Sequence, residues 1–253
     1  MTPADLHAAV RDPSGDPVPL LLQALVEPEP DIRREAVRYL QDIPTPRAIE
    51  PLGAILRRDP ECDIRWEAAE TLGLQGDPAA VPALLAAITD PEPAVRLCVA
   101  EALGIVGDSD PRVAPALCCL LVDFDVGVRA FALEAIGDLG DPIATPAVRT
   151  RLIGERRHPE VRVWVYYALA RLGDGAFPLT ETIALLRRCR TFAARVSAAR
   201  ALARVATPGT LPRIGRALRA ATLRERSGGM REAMVRLLAE AVETADAIPP
   251  GKR

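Results

Sequence analysis

Histidine, lysine and aromatic side chains are scarce in this chain. Of its 253 residues two are His (His7 and His158), and of 32 basic residues one is Lys (Lys252). Two histidines in unrelated contexts exclude a His-rich metal site. None of the cysteines stands in a CxxC, so a Cys/His zinc site has no supporting spacing either. The five cysteines, Cys62, Cys98, Cys118, Cys119 and Cys189, are odd in number. They are expected to be reduced thiols, packed as small hydrophobes in a cytoplasmic protein. Phe, Trp and Tyr together make up 4%, too few for a large β-sandwich. No run approaches the roughly 18 apolar residues of a membrane span. The opening MTPADLHAAVRDPSGD carries Asp5 and Asp12 where a secretory signal needs a basic start and an apolar core. P-loop, dinucleotide, GxSxG and HExxH motifs are all missing. No catalytic residue, metal ligand or cofactor is therefore assigned, and the chain is not expected to be an enzyme.

What is present is an ordinary globular composition, 49% hydrophobic and 26% charged, with 24 prolines. Abundant Ala and Leu interrupted by Pro fit short helices. The net charge of −2 hides an asymmetry. Residues 1–126 hold 10 basic and 22 acidic side chains, a balance of −12; residues 127–253 hold 22 and 12, a balance of +10. Opposite charges along the chain are expected to steer different partners, or different ends of one. Arginine in place of lysine is read as GC-rich coding, so its abundance is not a nucleic-acid signal.

A phrase recurs: DIRREAVRYL, DIRWEAAETL, AVRLCVAEAL, GVRAFALEAI, EVRVWVYYAL, AARVSAARAL, GMREAMVRLL. Its arginines, Arg33, Arg65, Arg96, Arg129, Arg162, Arg195 and Arg231, are spaced by 32, 31, 33, 33, 33 and 36 residues. Three residues on stands Ala36, Ala68, Val99, Ala132, Val165, Ala198 or Met234. Seven on stands Leu40, Leu72, Leu103, Ile136, Leu169, Leu202 or Leu238. Apolar residues at +3, +4 and +7 make one stripe of a helix. A second apolar phrase lies between, such as AVPALLAAI (80–88) or VAPALCCLL (113–121). Gly76-Asp77-Pro78, Asp110-Pro111, Gly140-Asp141-Pro142, Gly173-Asp174-Gly175 and Thr207-Pro208 link the two kinds of phrase. These are helix stops followed by helix caps. Each repeat is therefore helix A, turn, helix B, turn. One pair cannot bury its own stripe, and stacked pairs can.

The pattern DPxxVPxLLxxxxDPxxxVRxxAxxALGxxGD is fullest from Asp77 to Asp108, with Val99 at the first Ala place. It resembles HEAT repeats, closest to the short bacterial subtype named after phycobilisome lyases. The resemblance covers residues 13 to about 243. It implies one all-α, right-handed solenoid spanning 1–253, in seven repeats near 13–44, 45–76, 77–107, 108–140, 141–173, 174–206 and 207–243. A short cap (1–12) and a tail (244–253) flank them. About 14 main helices are expected, with B helices near 31–43, 63–74, 94–106, 127–139, 160–172, 193–205 and 230–243. The first repeat lacks the final Gly, and Arg224–Gly229 extends the last A–B loop. The resemblance also implies that the repeated Arg forms a hydrogen-bonded ladder with loop carboxylates and carbonyls, and that B helices line the concave side. Without His-Glu dipeptides the di-iron hydroxylases of this architecture are excluded.

Counted from the Arg, positions +1, +2, +5 and +9 vary and are expected to point away from the core. The +5 column reads Arg38, Glu70, Glu101, Glu134, Tyr167, Arg200, Arg236, and the +2 column includes Glu67, Cys98, Phe131 and Trp164. Trp66 stands at +1. The +9 column includes Leu74, Ile105, Arg171 and Arg204. An acidic and aromatic patch of Trp66, Glu67, Glu70, Glu101, Phe131, Glu134, Trp164 and Tyr167 is expected to bind a protein partner bearing a basic segment. Arg171, Arg200, Arg204 and Arg236 would take that partner's acidic portion. Arg149, Arg151, Arg156, Arg157, Arg187, Arg188 and Arg190 fall on A helices and loops, away from this face. The expected function is a non-enzymatic bacterial interaction scaffold. The alternative is a lyase-type protein whose aromatic cup holds a tetrapyrrole or other small molecule. Nucleic-acid binding, a third possibility, is opposed by the acidic first half.

Overall fold

The computed structural model describes residues 1–12, 15–155, 157–224 and 228–247, and all but the side chain of Met230 among them. It is all-α: 15 α-helices and three short 3₁₀ turns, with no strand among the described residues. The chain forms two compact bodies, Met1–Ala144 and Thr145–Arg253.

The N-terminal body begins with α1 (Pro3–Arg11), a cap closed by a reciprocal box between Thr2 and Asp5. Its His7 Nδ1 lies 2.8 Å from the Tyr39 hydroxyl on α3. A helices α2 (Val18–Ala24), α4 (Ile49–Arg58), α6 (Val81–Ala86) and α8 (Val113–Leu120) alternate with B helices. These are α3 (Pro30–Asp42), α5 (Cys62–Gln75), α7 (Pro93–Val106) and α9 (Val126–Leu139). Each B helix packs on the next, and each A helix on its own B helix. The C-terminal body holds α10 (Thr145–Gly154), α11 (Pro159–Arg171), α12 (Leu179–Arg188), α13 (Phe192–Arg204), α14 (Leu211–Arg224) and α15 (Gly228–Asp246). Here α11 packs on α13 and α13 on α15.

The B helices lie where the phrase places them, the first six starting one residue earlier than expected. Pro30, Pro93 and Pro159 occupy the first helical position, where a missing N–H has no cost. Gly76 and Gly140 end α5 and α9 in the left-handed region, with φ 68° and 65°, as the Gly-Asp-Pro turns require. Pro78 and Pro142 open 3₁₀ turns rather than α-helix, which leaves α6 at six residues, shorter than its apolar phrase suggests. The core is the predicted stripe: Ala36, Leu40, Ala68, Leu72, Val99, Leu103, Ala132 and Ile136 are all buried. In the C-terminal body Leu186, Ala198, Leu202, Leu218 and Met234 form the equivalent cluster. Arg156, part of the extended A–B loop (Glu225–Ser227) and the tail from residue 248 lie outside the described residues.

The arginine ladder forms in the N-terminal body. Arg33 grips both oxygens of Asp59 through Nε (2.7 Å) and Nη2 (3.0 Å), and its Nη1 donates to the carbonyls of Glu27 and Pro28. Arg65 does the same with Asp90, Asp59 O and Pro60 O, and Arg96 with Asp123, Asp90 O and Pro91 O. The same aspartates accept the N–H two residues on, at Glu61, Glu92 and Asp125. One carboxylate thus shapes the loop and ties neighbouring repeats together. Each of these guanidinium pKa values is raised, first by its aspartate hydrogen bond.

Candidate partner-binding surface

In the N-terminal body the candidate residues rise from the middle of three successive B helices. On α5, Glu70 lies one turn on from both Trp66 (i+4) and Glu67 (i+3), and so neighbours each of them. Trp66 is 36% exposed, and Glu67 and Glu70 are half-buried. On α7, Glu101 is exposed. The Cys98 thiol, buried between these groups, has its pKa pushed up by burial and then by Glu101 and Glu70. Glu70 and Glu101 therefore both lie near Cys98. Glu67 Oε2 is enclosed and has no hydrogen-bond partner. Burial raises its pKa, Arg38 and Arg34 on α3 oppose that rise, and Asp63 and Glu70 add to it. Neighbouring like charge is thus the smaller cause at this carboxyl, not the leading one.

Three predicted site residues lie elsewhere than expected. Glu134 on α9 is 4% exposed, because α9 is enclosed on every side from Ala132 to Gly137. A helix buried all round has no outward column. Phe131 is half-buried beside that stretch. In the C-terminal body Trp164 and Tyr167 are each 2% exposed. Their rings meet edge to face at 5.4 Å, and the Arg200 guanidinium of α13 lies 5.5 Å over the Trp164 ring. These aromatics fill the α11–α13 packing rather than offering a surface, as cation–π and edge-to-face geometry favours. Of the remaining arginines, Arg171 and Arg236 are exposed, while Arg204 lies 3.9 Å from Glu240. Position +9 behaves as expected at Leu74 and Ile105, both exposed.

Other features are not evident from repeat columns. Arg187 and Arg188, in the last turn of α12, join Arg213 and Arg216 of α14 around a groove of about 590 Å³ with no carboxylate in its lining. Their signal in the sequence is an Arg pair on one A helix and two arginines a turn apart on the next. Arg149, another of the A-helix arginines, pairs with Asp174. Among the described residues no three His, Cys, Asp or Glu side chains gather where they could hold a metal, and no helix is long and apolar enough to cross a membrane.

Comparison with known proteins agrees with this architecture. The model of HEAT repeats matches residues 6–61, 49–123 and 114–191. No curated protein matches the chain. Among solved structures, the complex of CpcE and CpcF of phycocyanin lyase from Nostoc sp. is similar at 21% identity, with a TM-score of 0.64 over 91% of this chain and 96% of that one. An engineered protein is similar at 20% identity over 95% and 71%, with a TM-score of 0.48. The repeated helical hairpins, their ladder and the family match over most of the sequence lead to one assignment: the chain belongs to the HEAT-repeat family.

Proposed function

We propose that the protein is a non-enzymatic interaction scaffold, and that Trp66, Glu67, Glu70 and Glu101 receive a basic segment of a protein partner. The observation that carries this reading is Glu67 Oε2, enclosed without a donor on the same helix as the part-exposed Trp66. A buried acceptor left unpaired costs about 1–3 kcal/mol. Turned outward, the Glu67 carboxyl would take its donor from a partner's guanidinium or ammonium, whose aliphatic stem would cover the indole. Glu70 and Glu101 would steer the approach. The partner's acidic portion is assigned to the exposed Arg171 and Arg236 of the C-terminal body. The similar Nostoc structure is itself a complex of two proteins, which fits association as the use of this fold.

The test is capture of proteins from the source cell extract on immobilised parent protein, followed by binding kinetics at two ionic strengths. Charge reversal at Glu70 and Glu101 together should slow association, most at low salt. Trp66→Ala should mainly speed dissociation. The reading fails if both variants bind like the parent, or if the footprint falls on A helices.

The rival reading is lyase-type handling of a tetrapyrrole. It has the phycocyanin-lyase likeness in its favour, and it loses two of its four rings to packing at Trp164 and Tyr167. A visible absorption band in the purified protein would restore it. Nucleic acid is disfavoured by the carboxylates of α5 and α7.

A further inference from the structure

The rung of the arginine ladder at Arg162 holds no loop carboxylate among the described residues. In Arg33, Arg65 and Arg96, Nε and Nη2 hold a loop carboxylate 25 to 27 residues ahead. Arg162 occupies the same place on α11 and makes none of these bonds. Its Nη2 donates instead to the Tyr166 hydroxyl at 2.8 Å, and the Tyr166 ring lies 5.7 Å from the guanidinium carbon. Its Nε is buried and has no acceptor. The sequence explains this. Six residues before Arg65, Arg96 and Arg129 stand Asp59, Asp90 and Asp123, each serving the preceding rung. Six residues before Arg195 stands Cys189, whose Sγ sits 3.2 Å from the Thr191 hydroxyl.

Arg162 opens on a pocket of about 170 Å³ between α11 and α12, walled by Pro159, Val163, Pro178 and Leu185, with Tyr166 and Glu181. The Thr182 hydroxyl at its edge is already committed to the Pro178 carbonyl. Glu181 is exposed and does not serve the Arg162 Nε, which has no acceptor.

We infer that this pocket binds a monocarboxylate on a short apolar stem, with Arg162 gripping it as the other rungs grip their aspartates. Three observations select that chemistry. The chain's own rungs show which group the guanidinium takes at this place, through paired N–H donors suited to a carboxylate. The walls beyond the guanidinium are largely apolar. A cavity of about 150 Å³ holds a molecule of benzene's size, so the stem is a few carbons long. Glu181 in the same lining repels a second negative charge, which disfavours phosphates and dicarboxylates. On binding, the guanidinium turns from the Tyr166 hydroxyl to the carboxylate. The source is either a free aliphatic acid or the C-terminus of a protein ending in an apolar residue. The inference rests on other residues than the proposed partner surface, and the two stand or fall separately.

The experiment titrates the full chain with isocaproate, with isocaproamide, and with short peptides ending in Leu as free acid or amide. Calorimetry gives affinity, and the Arg162 Nε–H resonance reports the site. The free acids should bind and move that resonance, and the amides should bind at least about tenfold more weakly, since charge-assisted pairs are the strong ones. Isocaproate alone binding as tightly as the peptide identifies a small acid; a much tighter peptide identifies a chain terminus. Glu181→Gln should tighten binding, and Arg162→Gln should abolish it with helical circular dichroism intact. If Arg162→Gln does not fold, the acid–amide comparison on the parent decides. The inference is overturned if no carboxylate probe moves the resonance at millimolar concentration, or if amides bind as well as acids. It is also overturned if Glu181→Gln alone shifts the resonance of the ligand-free protein as loss of an acceptor would.

Discussion

Gly104 on α7 faces Ala135 on α9 so closely that a Cβ on the glycine would stand 2.9 Å from the alanine Cβ and 3.1 Å from its Cα. Gly73 and Ala102 repeat the relation between α5 and α7. A backbone atom cannot swing aside as a side-chain tip can. Gly104→Ala should therefore cost about 1–3 kcal/mol through overpacking, although alanine is the better helix former by about 1 kcal/mol. Urea unfolding reads the difference, and an unchanged or raised midpoint would show that the helices separate without cost.

Leu103 and Ile136 hold the same place in successive B helices, and both are buried. Leu103→Ala and Ile136→Ala should each cost about 2–5 kcal/mol by opening cavities in the shared core. Glu101, exposed on the same helix as Leu103, should tolerate Gln almost without cost. Thermal melts that ranked Glu101→Gln with Leu103→Ala would overturn the assignment of faces.

The Arg33–Asp59 pair is enclosed, with Asp59 1% exposed. Removing one partner of a buried pair strands the other, so Asp59→Ala should cost about 3–5 kcal/mol. Chemical denaturation of this variant beside Arg47→Ala, which breaks the exposed pair with Asp16, should show the contrast.

The hydrogen bond from Arg96 holds the Asp123 carboxyl below its ordinary pKa, against a smaller opposing effect of burial. The folded state therefore binds fewer protons than the unfolded one near this group. Its stabilisation is present above the ordinary carboxylate range and is lost as pH falls through the lowered value. Asp123→Asn should be less stable at neutral pH and should show a shallower loss of stability in acid. Parallel acid limbs in parent and variant would remove Asp123 from the pH dependence.

At Glu67 the sign reverses. Burial raises its pKa, so the fold favours the protonated form, and stability declines as pH rises from the ordinary carboxylate value through the raised one. Glu67→Gln should hold or raise the melting temperature at neutral pH while weakening partner binding. A fall in both would make Glu67 a structural residue.

The repeat was legible because each B helix carries its own instructions. Arg one turn in and apolar residues at +3 and +7 are local to one phrase, with Pro at the first position in three of them, and the 3.6-residue period turns them into a stripe. The B helices α3, α5, α7, α9, α11 and α13 accordingly start within one residue of their expected places. The ladder, implied by the family resemblance, is present at Arg33–Asp59, Arg65–Asp90 and Arg96–Asp123. Exposure did not follow, because a residue at +2 or +5 points at a neighbouring helix whose side chains decide whether it is covered. Trp66 and Trp164 illustrate this. Both lie in the first half of a B helix, yet one is part-exposed, while the other is sealed by Tyr167 and by Arg200 from the next B helix. The sequence by itself thus determined the helices, their order and the stripe they bury, all set by spacing within a phrase. Only the tertiary structure decided which carboxylates and rings reach solvent, because that depends on what the adjoining repeat brings to the same point in space.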